Sequence, residues 1–458
     1  MTTANPRHVA FDILLRIEKD RSYADILLDR ELSGGALQGP DRGLLTELVY
    51  GVLRHQGTLD HIINQFSRQK VEKLERVVLI LLRLGLYQTI FLDRIPISAA
   101  VNETVKLAKF LAPRSAGFIN AVLRTVDRER HEIRYPDRQL DPVAFLAARY
   151  SHPSRIIGQW IEQLGMDEAE SLAESMSEAP PLTLRTNTLK ISRDSLIARL
   201  AGEGAIAVAT RFSPDGLNIT ARIPLAGLLS FKEGLCTIQD ESSQLAALFL
   251  SPQPGERVLD LCAAPGGKAT HLAQIMENRG SILASDTVVR KLPLIEENAQ
   301  RLGISIITVI PLDVSGTTPL SGHHSLDSGR FDRILVDAPC SGFGVLRRNP
   351  EGKWWKMPAD IKELASLQKA ILRNAASLLK EEGTLLYATC STTIEENEAV
   401  ITDFLSKQPD FMLEDLRELF PAYTELFTEE GFFRSWPHRH GMDGFFAARL
   451  RKNQIERG

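Results

Sequence analysis

Asp260-Leu261-Cys262-Ala263-Ala264-Pro265-Gly266-Gly267-Lys268 closes the apolar run Val258 to Leu261 and leads into Lys268 to Met276, a stretch suited to a helix. A strand, a small-residue turn and a helix in that order open an α/β unit. The pattern then repeats. Ser281 to Ser285, Ile304 to Ile310, Arg333 to Val336 and Thr384 to Thr389 read as further strands, with helices over Lys291 to Leu302 and Ala359 to Leu379 between them. This alternation predicts a mostly parallel sheet covered by helices on both faces. The break Ser251-Pro252-Gln253-Pro254-Gly255 marks its entry, and Ser315 to Gly329 reads as a turn-rich loop.

Ligands of an open parallel sheet sit beyond the carboxyl ends of its strands. Asp260, Asp286, Asp313, Asp337 and Cys390 all fall at or just after such ends. Acids crowded on one rim repel one another unless a ligand compensates. The first loop is not a P-loop, which would need Gly at position 262 and Ser or Thr after Lys268, where Ala269 stands. Nor do Gly266 and Gly267 supply the three spaced glycines of a dinucleotide fingerprint. What remains is S-adenosylmethionine, which needs no phosphate cradle. Asp286, about 20 residues past the glycines, is placed to accept from ribose hydroxyls, and Asp313 from an adenine amino group.

Asp337-Ala338-Pro339-Cys340-Ser341-Gly342 follows the fourth strand, and Thr389-Cys390-Ser391 ends the fifth. A lone sheet cysteine is usually an inert small hydrophobe. Two at adjacent strand ends beside a methyl donor point to covalent chemistry. Cytosine supplies the reason: its C5 is a weak nucleophile until a thiolate adds at C6. Asp337 is then suited to the N3 and amino edge as charge develops. The base must be unpaired or extruded to reach the donor.

The rest of the chain is organised differently. Its 458 residues, 43% hydrophobic and 24% charged, predict several globular domains. From His8 to about Arg130 apolar residues recur at helical spacing, with Asp41 placed as a cap. The domains expected are a helical one over 1–130, a helical linker over 131–178, a small α/β platform over 179–235 and the catalytic domain over 236–458. Met1 to Arg130 carries 19 Lys+Arg against 15 Asp+Glu within a chain of net charge -4, so the front is basic and the remainder acidic. That balance permits an RNA partner. Cys236, Cys262, Cys340 and Cys390 form no Cys-x-x-Cys pair, which argues against structural zinc and a disulfide framework. No apolar run approaches the roughly 20 residues that cross a bilayer, and Met1 to Pro6 is too polar for a signal sequence. A cytoplasmic location without membrane association is expected.

Two resemblances sharpen this reading. Asp41 to Arg54, Leu82-Arg83-Leu84-Gly85-Leu86-Tyr87-Gln88 and Asn120-Ala121-Val122-Leu123-Arg124 resemble the NusB-like RNA-binding domain at the front of bacterial rRNA cytosine methyltransferases. Asp260 to Lys268, Asp337 to Gly342, Arg347-Arg348-Asn349-Pro350, Ala388 to Ser391 and Glu395-Glu396-Asn397 are similar to the RNA 5-methylcytosine methyltransferases. Together they point to the bacterial RsmB/Sun/Fmu type of 16S rRNA enzyme. The resemblance implies a multidomain chain: an all-α NusB-like domain, a small α/β platform and a Rossmann-like S-adenosylmethionine-dependent methyltransferase domain. It implies Cys390 as nucleophile and Cys340 as the aid to adduct breakdown. Chemistry alone would favour Cys340, since DNA cytosine enzymes use the cysteine of a Pro-Cys pair. It also implies that Cys262, Ala263, Ala264, Pro265, Gly266, Gly267, Lys268, Asp286, Asp313 and Asp337 line the donor site. The family often carries Arg five residues after the ribose acid; here Lys291 has that spacing and Arg290 sits beside it.

Arg347, Arg348, Lys353, Trp354, Trp355 and Lys356 combine charge with flat faces, so they either contact RNA or, for the tryptophans, form core. Phe432 to His440 raises the same question, and Gly444-Phe445-Phe446-Ala447 suggests a final hairpin beside the donor cleft. His438 and His440 lack a third ligand, so no metal is expected. The expected partner is 16S rRNA, met by a monomer. Transfer to tRNA and a non-catalytic rRNA assembly factor are the alternatives.

Overall fold

The computed structural model describes residues 5–35, 37–220, 227–316 and 330–454. Most of the Ser315 to Gly329 stretch, residues 317–329, therefore lies outside the described residues. The chain divides into two compact units, Met1–Ala179 with Leu346–Trp355, and Pro180–Val345 with Lys356–Gly458.

The first unit is helical. Seven helices, Pro6–Asp20, Ala24–Ser33, Pro40–Arg54, Gln56–Phe66, Arg76–Phe91, Ile97–Leu111 and Ala116–Arg128, enclose one apolar core. Their inward stripes bury Ile13, Ile17, Leu48, Val52, Leu81, Val101 and Leu123. Asp41 is not the expected cap: Gly39 occupies that place and Pro40 the first turn, where its missing N–H is harmless. Gly51 has no room for a side chain, because a Cβ there would come within 1.9 Å of the Tyr87 ring. Buried Arg83 crosses the core to reach Asp60 through two 2.7 Å hydrogen bonds and also pairs with Glu18. Helices Pro142–Tyr150, Ser154–Leu164 and Met166–Ser177 complete the unit.

Leu346–Trp355 belongs to this helical unit although its neighbours in sequence do not. Lys353 Nζ donates to the Arg54 carbonyl at 2.9 Å, Arg155 donates to the Lys353 carbonyl at 2.7 Å, and the Glu351 carboxylate accepts from the Ala24 N–H at 3.0 Å. Arg347 and Lys353 are thus buried rather than displayed to RNA. Trp355 packs against the helical core and meets Tyr23 edge-on, so it answers to the core reading.

The second unit holds two sheets. Strands β1 (Leu182–Thr186), β2 (Ala207–Ala209), β3 (Gly216–Ile219) and β4 (Cys236–Ile238) form an antiparallel sheet of order β2-β3-β1-β4. Because β4 pairs with β1, this platform runs past residue 235. Strands β5 (Arg257–Leu261), β6 (Ser281–Asp286), β7 (Ile307–Pro311), β8 (Phe331–Asp337), β9 (Leu379–Thr389), β10 (Phe411–Leu413), β11 (Phe433–Ser435) and β12 (Phe445–Lys452) form the larger sheet. Its order is β10-β12-β9-β8-β5-β6-β7, with β11 paired to β12. Strands β5 to β9 are parallel, and the apolar runs of β5, β6, β8 and β9 are buried, as helices on both faces require, while β7 at the edge is only half-buried. The expected architecture of helical front, small platform and doubly wound sheet is realised. The terminal hairpin also forms, but β12 additionally inserts antiparallel between β9 and β10. No helix among the described residues is long and apolar enough to cross a membrane.

Candidate active site

Strand order places the chemistry. Strand β5 lies between β6 and β8, and β9 lies beside β8, so the loops leaving these parallel strands gather at one end. The chain reverses direction either side of β5, which makes a crevice there. Cys262, Asp286, Thr287, Leu312, Asp313, Val314, Ser315, Pro339, Leu367 and Ile371 line an open cleft of about 560 Å³ at that point. Its charged lining residues are both acids. Cys262 adopts a left-handed backbone, with φ of 60°, a strained conformation of the kind that collects at ligand sites.

The structure separates the expected donor-site residues into groups. Cys262, Asp286 and Asp313 meet in the cleft. The Asp286 carboxylate accepts from Ala264 N at 3.2 Å and Val288 N at 2.8 Å, which anchors the first loop to the end of β6. Hydrogen bonds from the Ser315 side chain and backbone hold the Asp313 carboxyl below its ordinary range. Ala263 is buried with Ala269, Ala284, Leu292 and Ile295, while Ala264 is half-buried and Pro265 exposed. Gly266 and Gly267 open the helix Gly267–Ile275, and Arg290 and Lys291 are exposed away from the cleft lining.

Lys268 and Asp337 form a 2.7 Å ion pair. Burial works against the ammonium, but the charge and hydrogen bond of Asp337 more than offset it and raise its pKa. Asp260 departs from the rim expectation. It lies inside β5, fully buried, and neither carboxyl oxygen has a hydrogen-bond partner among the described residues. Burial first, then the charges of Asp337 and Asp286 against that of Lys268, push it well above the carboxylate range. Burial and the neighbouring acids thus favour its neutral form.

Register explains how Cys340 and Cys390 meet across fifty residues. Asp337 of β8 stands opposite Ala388 of β9, so the loops that follow run side by side. The two sulfurs are 3.3 Å apart. The loop after Cys340 is held close: Gly344 N donates to the Cys390 carbonyl at 2.8 Å, and a Cβ at Gly344 would come within 1.9 Å of the Gly444 carbonyl. Contact with Cys390, then burial, then the charge of Glu396 push the Cys340 thiol well above its ordinary range.

Sequence reading assigned no role to three polar groups here, although Glu396 stands in the quoted Glu395-Glu396-Asn397 motif. Glu396 bonds both cysteine loops, Gln368 bridges Glu396 to the Pro339 carbonyl, and buried Arg185 of β1 donates to the Gly267 carbonyl at 2.7 Å. Burial drags the Arg185 guanidinium down to about 9. Nothing local marks Gln368 or Arg185, whose partners are distant in sequence. His440 is engaged structurally, its Nδ1 accepting from Trp436 N at 2.9 Å.

The cleft fits S-adenosylmethionine on its own chemistry. It offers carboxylates for hydroxyl, amino and cationic groups, apolar walls from Leu312, Leu367 and Ile371, and, among the described residues, no cationic lining residue for a phosphate. Comparison with known proteins agrees. The family described as 16S rRNA methyltransferase RsmB/F matches residues 247–451, the NusB family residues 4–128, and an RsmF/B-like ferredoxin-like domain residues 152–226. The chain is 39% identical to the "Probable ribosomal RNA small subunit methyltransferase B" of Bacillus subtilis, over 99% of this chain and all of that one. It is 37% identical to the "Ribosomal RNA small subunit methyltransferase B" of Escherichia coli O1:K1, over 95% and 96%. Among solved structures, a methyltransferase homolog protein from Pyrococcus horikoshii superposes with a TM-score of 0.58 at 31% identity, over 68% of this chain and 99% of that one.

Proposed function

Because the chain belongs to the RsmB/F family of S-adenosylmethionine-dependent rRNA methyltransferases, we propose that it methylates C5 of one cytosine in 16S rRNA through a covalent bond from Cys390 to C6. The observation that carries this reading is the pair of thiols, 3.3 Å apart, with Pro339 beside Cys340 lining the acidic cleft. An enzyme acting on an exocyclic amine has no need of two sulfurs there.

S-adenosylmethionine supplies an electrophilic methyl group. Cys262, the first loop, Asp286 and Asp313 hold it. Cys390 as thiolate adds to C6, and the C5=C6 electron pair moves into the ring toward N3, where Asp337 hydrogen-bonds the edge of the base. Lys268 donates to Asp337 at 2.7 Å and orients it. Once C5 carries the methyl group, its proton leaves to a base in the cleft and the C6–S bond breaks. The sulfur of Cys390 leaves as the thiolate that attacked, and Cys340, 3.3 Å away, donates a hydrogen bond to it as it departs. The target cytosine must leave its stack to reach these groups. We assign the grip on RNA to the helical domain and small platform, and propose that a single copy acts in the cytoplasm.

The test is incubation with tritiated donor and unmodified rRNA, followed by mapping of the label. Cys390→Ala should abolish transfer, and Cys340→Ala should accumulate a protein–RNA adduct. Label on tRNA instead of 16S rRNA, or binding without transfer by the wild type, would overturn the assignment.

A further inference from the structure

Glu396 takes no part in the reaction just described, yet its fully buried carboxylate joins the two cysteine loops. One oxygen accepts from Ser341 N at 2.7 Å and Gln368 Nε2 at 3.1 Å. The other accepts from Ser341 Oγ at 2.5 Å, Ser391 Oγ at 2.5 Å and Thr393 Oγ1 at 3.0 Å. Ser341 directly follows Cys340 and Ser391 directly follows Cys390. The two serine hydroxyls also meet each other at 3.1 Å. Gln368 extends the arrangement to the residue before Cys340, donating to the Pro339 carbonyl at 2.9 Å. The main chain is pinned as well, since Tyr387 OH donates to the Glu396 carbonyl at 2.6 Å. An N–H, an amide NH₂ and three hydroxyls converge on two oxygens, and a carboxylate is the side chain that accepts from all of them.

We propose that Glu396 is a positioning residue that sets the order of the two thiols, holding Cys340 against Cys390 so that Cys390 adds to the base and Cys340 remains the thiol that hydrogen-bonds the departing sulfur. The inference rests on the reading that both sulfurs work on one base. The charges around the pair support it. Cys340 faces Cys390 and Glu396, which both favour its protonated form, whereas the Lys268 ammonium, paired with Asp337, interacts electrostatically with Cys390. A glutamine at 396 keeps the shape but removes the charge, and its NH₂ would confront either the Ser341 N–H or the hydroxyls. A loop fastened less firmly lets the sulfurs drift apart.

The test reads the thiols directly in the full-length chain, without RNA or donor. Alkylation of each cysteine by iodoacetamide is followed by peptide mass spectrometry from pH 6.5 to pH 9.5, and kcat and KM are measured on rRNA. In the wild type Cys390 should react first. Glu396→Gln should move the alkylation midpoint of Cys340 down by about one pH unit, cutting the preference for Cys390 about tenfold. It should lower kcat at least about tenfold, with KM for the donor changed less than about twofold. Glu396→Asp should recover part of both. Unchanged alkylation profiles in Glu396→Gln, whatever its kcat, overturn the proposal. If that variant does not fold, Ser341→Ala with Ser391→Ala removes two donors and leaves the charge. It should shrink the preference in the same direction, and an unchanged preference overturns the proposal equally. Alkylation is blind to which RNA atom is methylated, so failure of the cytosine-C5 assignment would appear in the RNA product alone.

Discussion

Asp286 and Asp313 stand at the ends of neighbouring strands, where each carboxylate keeps acceptor capacity beyond its own turn. Asp286→Asn exchanges a charged acceptor for a neutral one. A charge-assisted hydrogen bond contributes about 1.5–3 kcal/mol, so donor affinity measured by calorimetry should fall roughly 10- to 100-fold, with the melting temperature of the free protein little changed. These acids were legible because a polar residue directly after an apolar run marks a strand end. Asp260 was not, because it sits one residue before the end of β5 and the same text serves for a rim ligand or a buried acid. Only the tertiary surroundings decide. The Lys268–Asp337 pair likewise joins two separately legible residues whose contact depends on β5 and β8 being neighbours.

At the scale of elements, Leu346–Trp355 shows what composition hides. Its cations and tryptophans have the make-up of an RNA-binding segment, yet they fill space in the helical unit. Burial, with the nearby Arg54 charge, brings the Lys353 ammonium down to about 7 from 10.5. Between those two values the unfolded chain binds the proton that the folded chain releases, so the unit gains stability as pH rises from about 7 toward 10. Below about 7 both states are protonated and the lysine contributes no further slope. His55, lowered to about 4 chiefly by burial, acts in the acid range. It destabilises the fold as pH falls from about 6.5 to about 4. Thermal unfolding across pH should show both slopes, and Lys353→Met should flatten the alkaline one. The aromatic packing around Phe249, which meets Phe420, Tyr423, Phe427 and Phe433, is another element-scale test. Phe249→Ala should cost about 3–5 kcal/mol in denaturant unfolding. The parallel strands were readable because βαβ units are local. The insertion of β12 between β9 and β10 was not, since antiparallel partners far along the chain leave no mark in either strand.

For the whole molecule, a net charge of -4 limits how much affinity can come from bulk attraction to RNA. Neutralising about two to four phosphates implies a fall in rRNA affinity of roughly 7- to 150-fold between 50 and 200 mM salt. Filter binding across salt would measure that slope, and a much steeper one would mean a larger basic footprint. The account as a whole depends on one bond, between the sulfur of residue 390 and carbon 6 of a cytosine. Substituting 5-fluorocytosine into small-subunit rRNA blocks release, because fluorine cannot leave as the C5 proton does. Digestion and mass spectrometry of the stalled complex should find the nucleotide on the peptide carrying Cys390, already methylated. Attachment through Cys340, or full methylation with no adduct, would contradict the account.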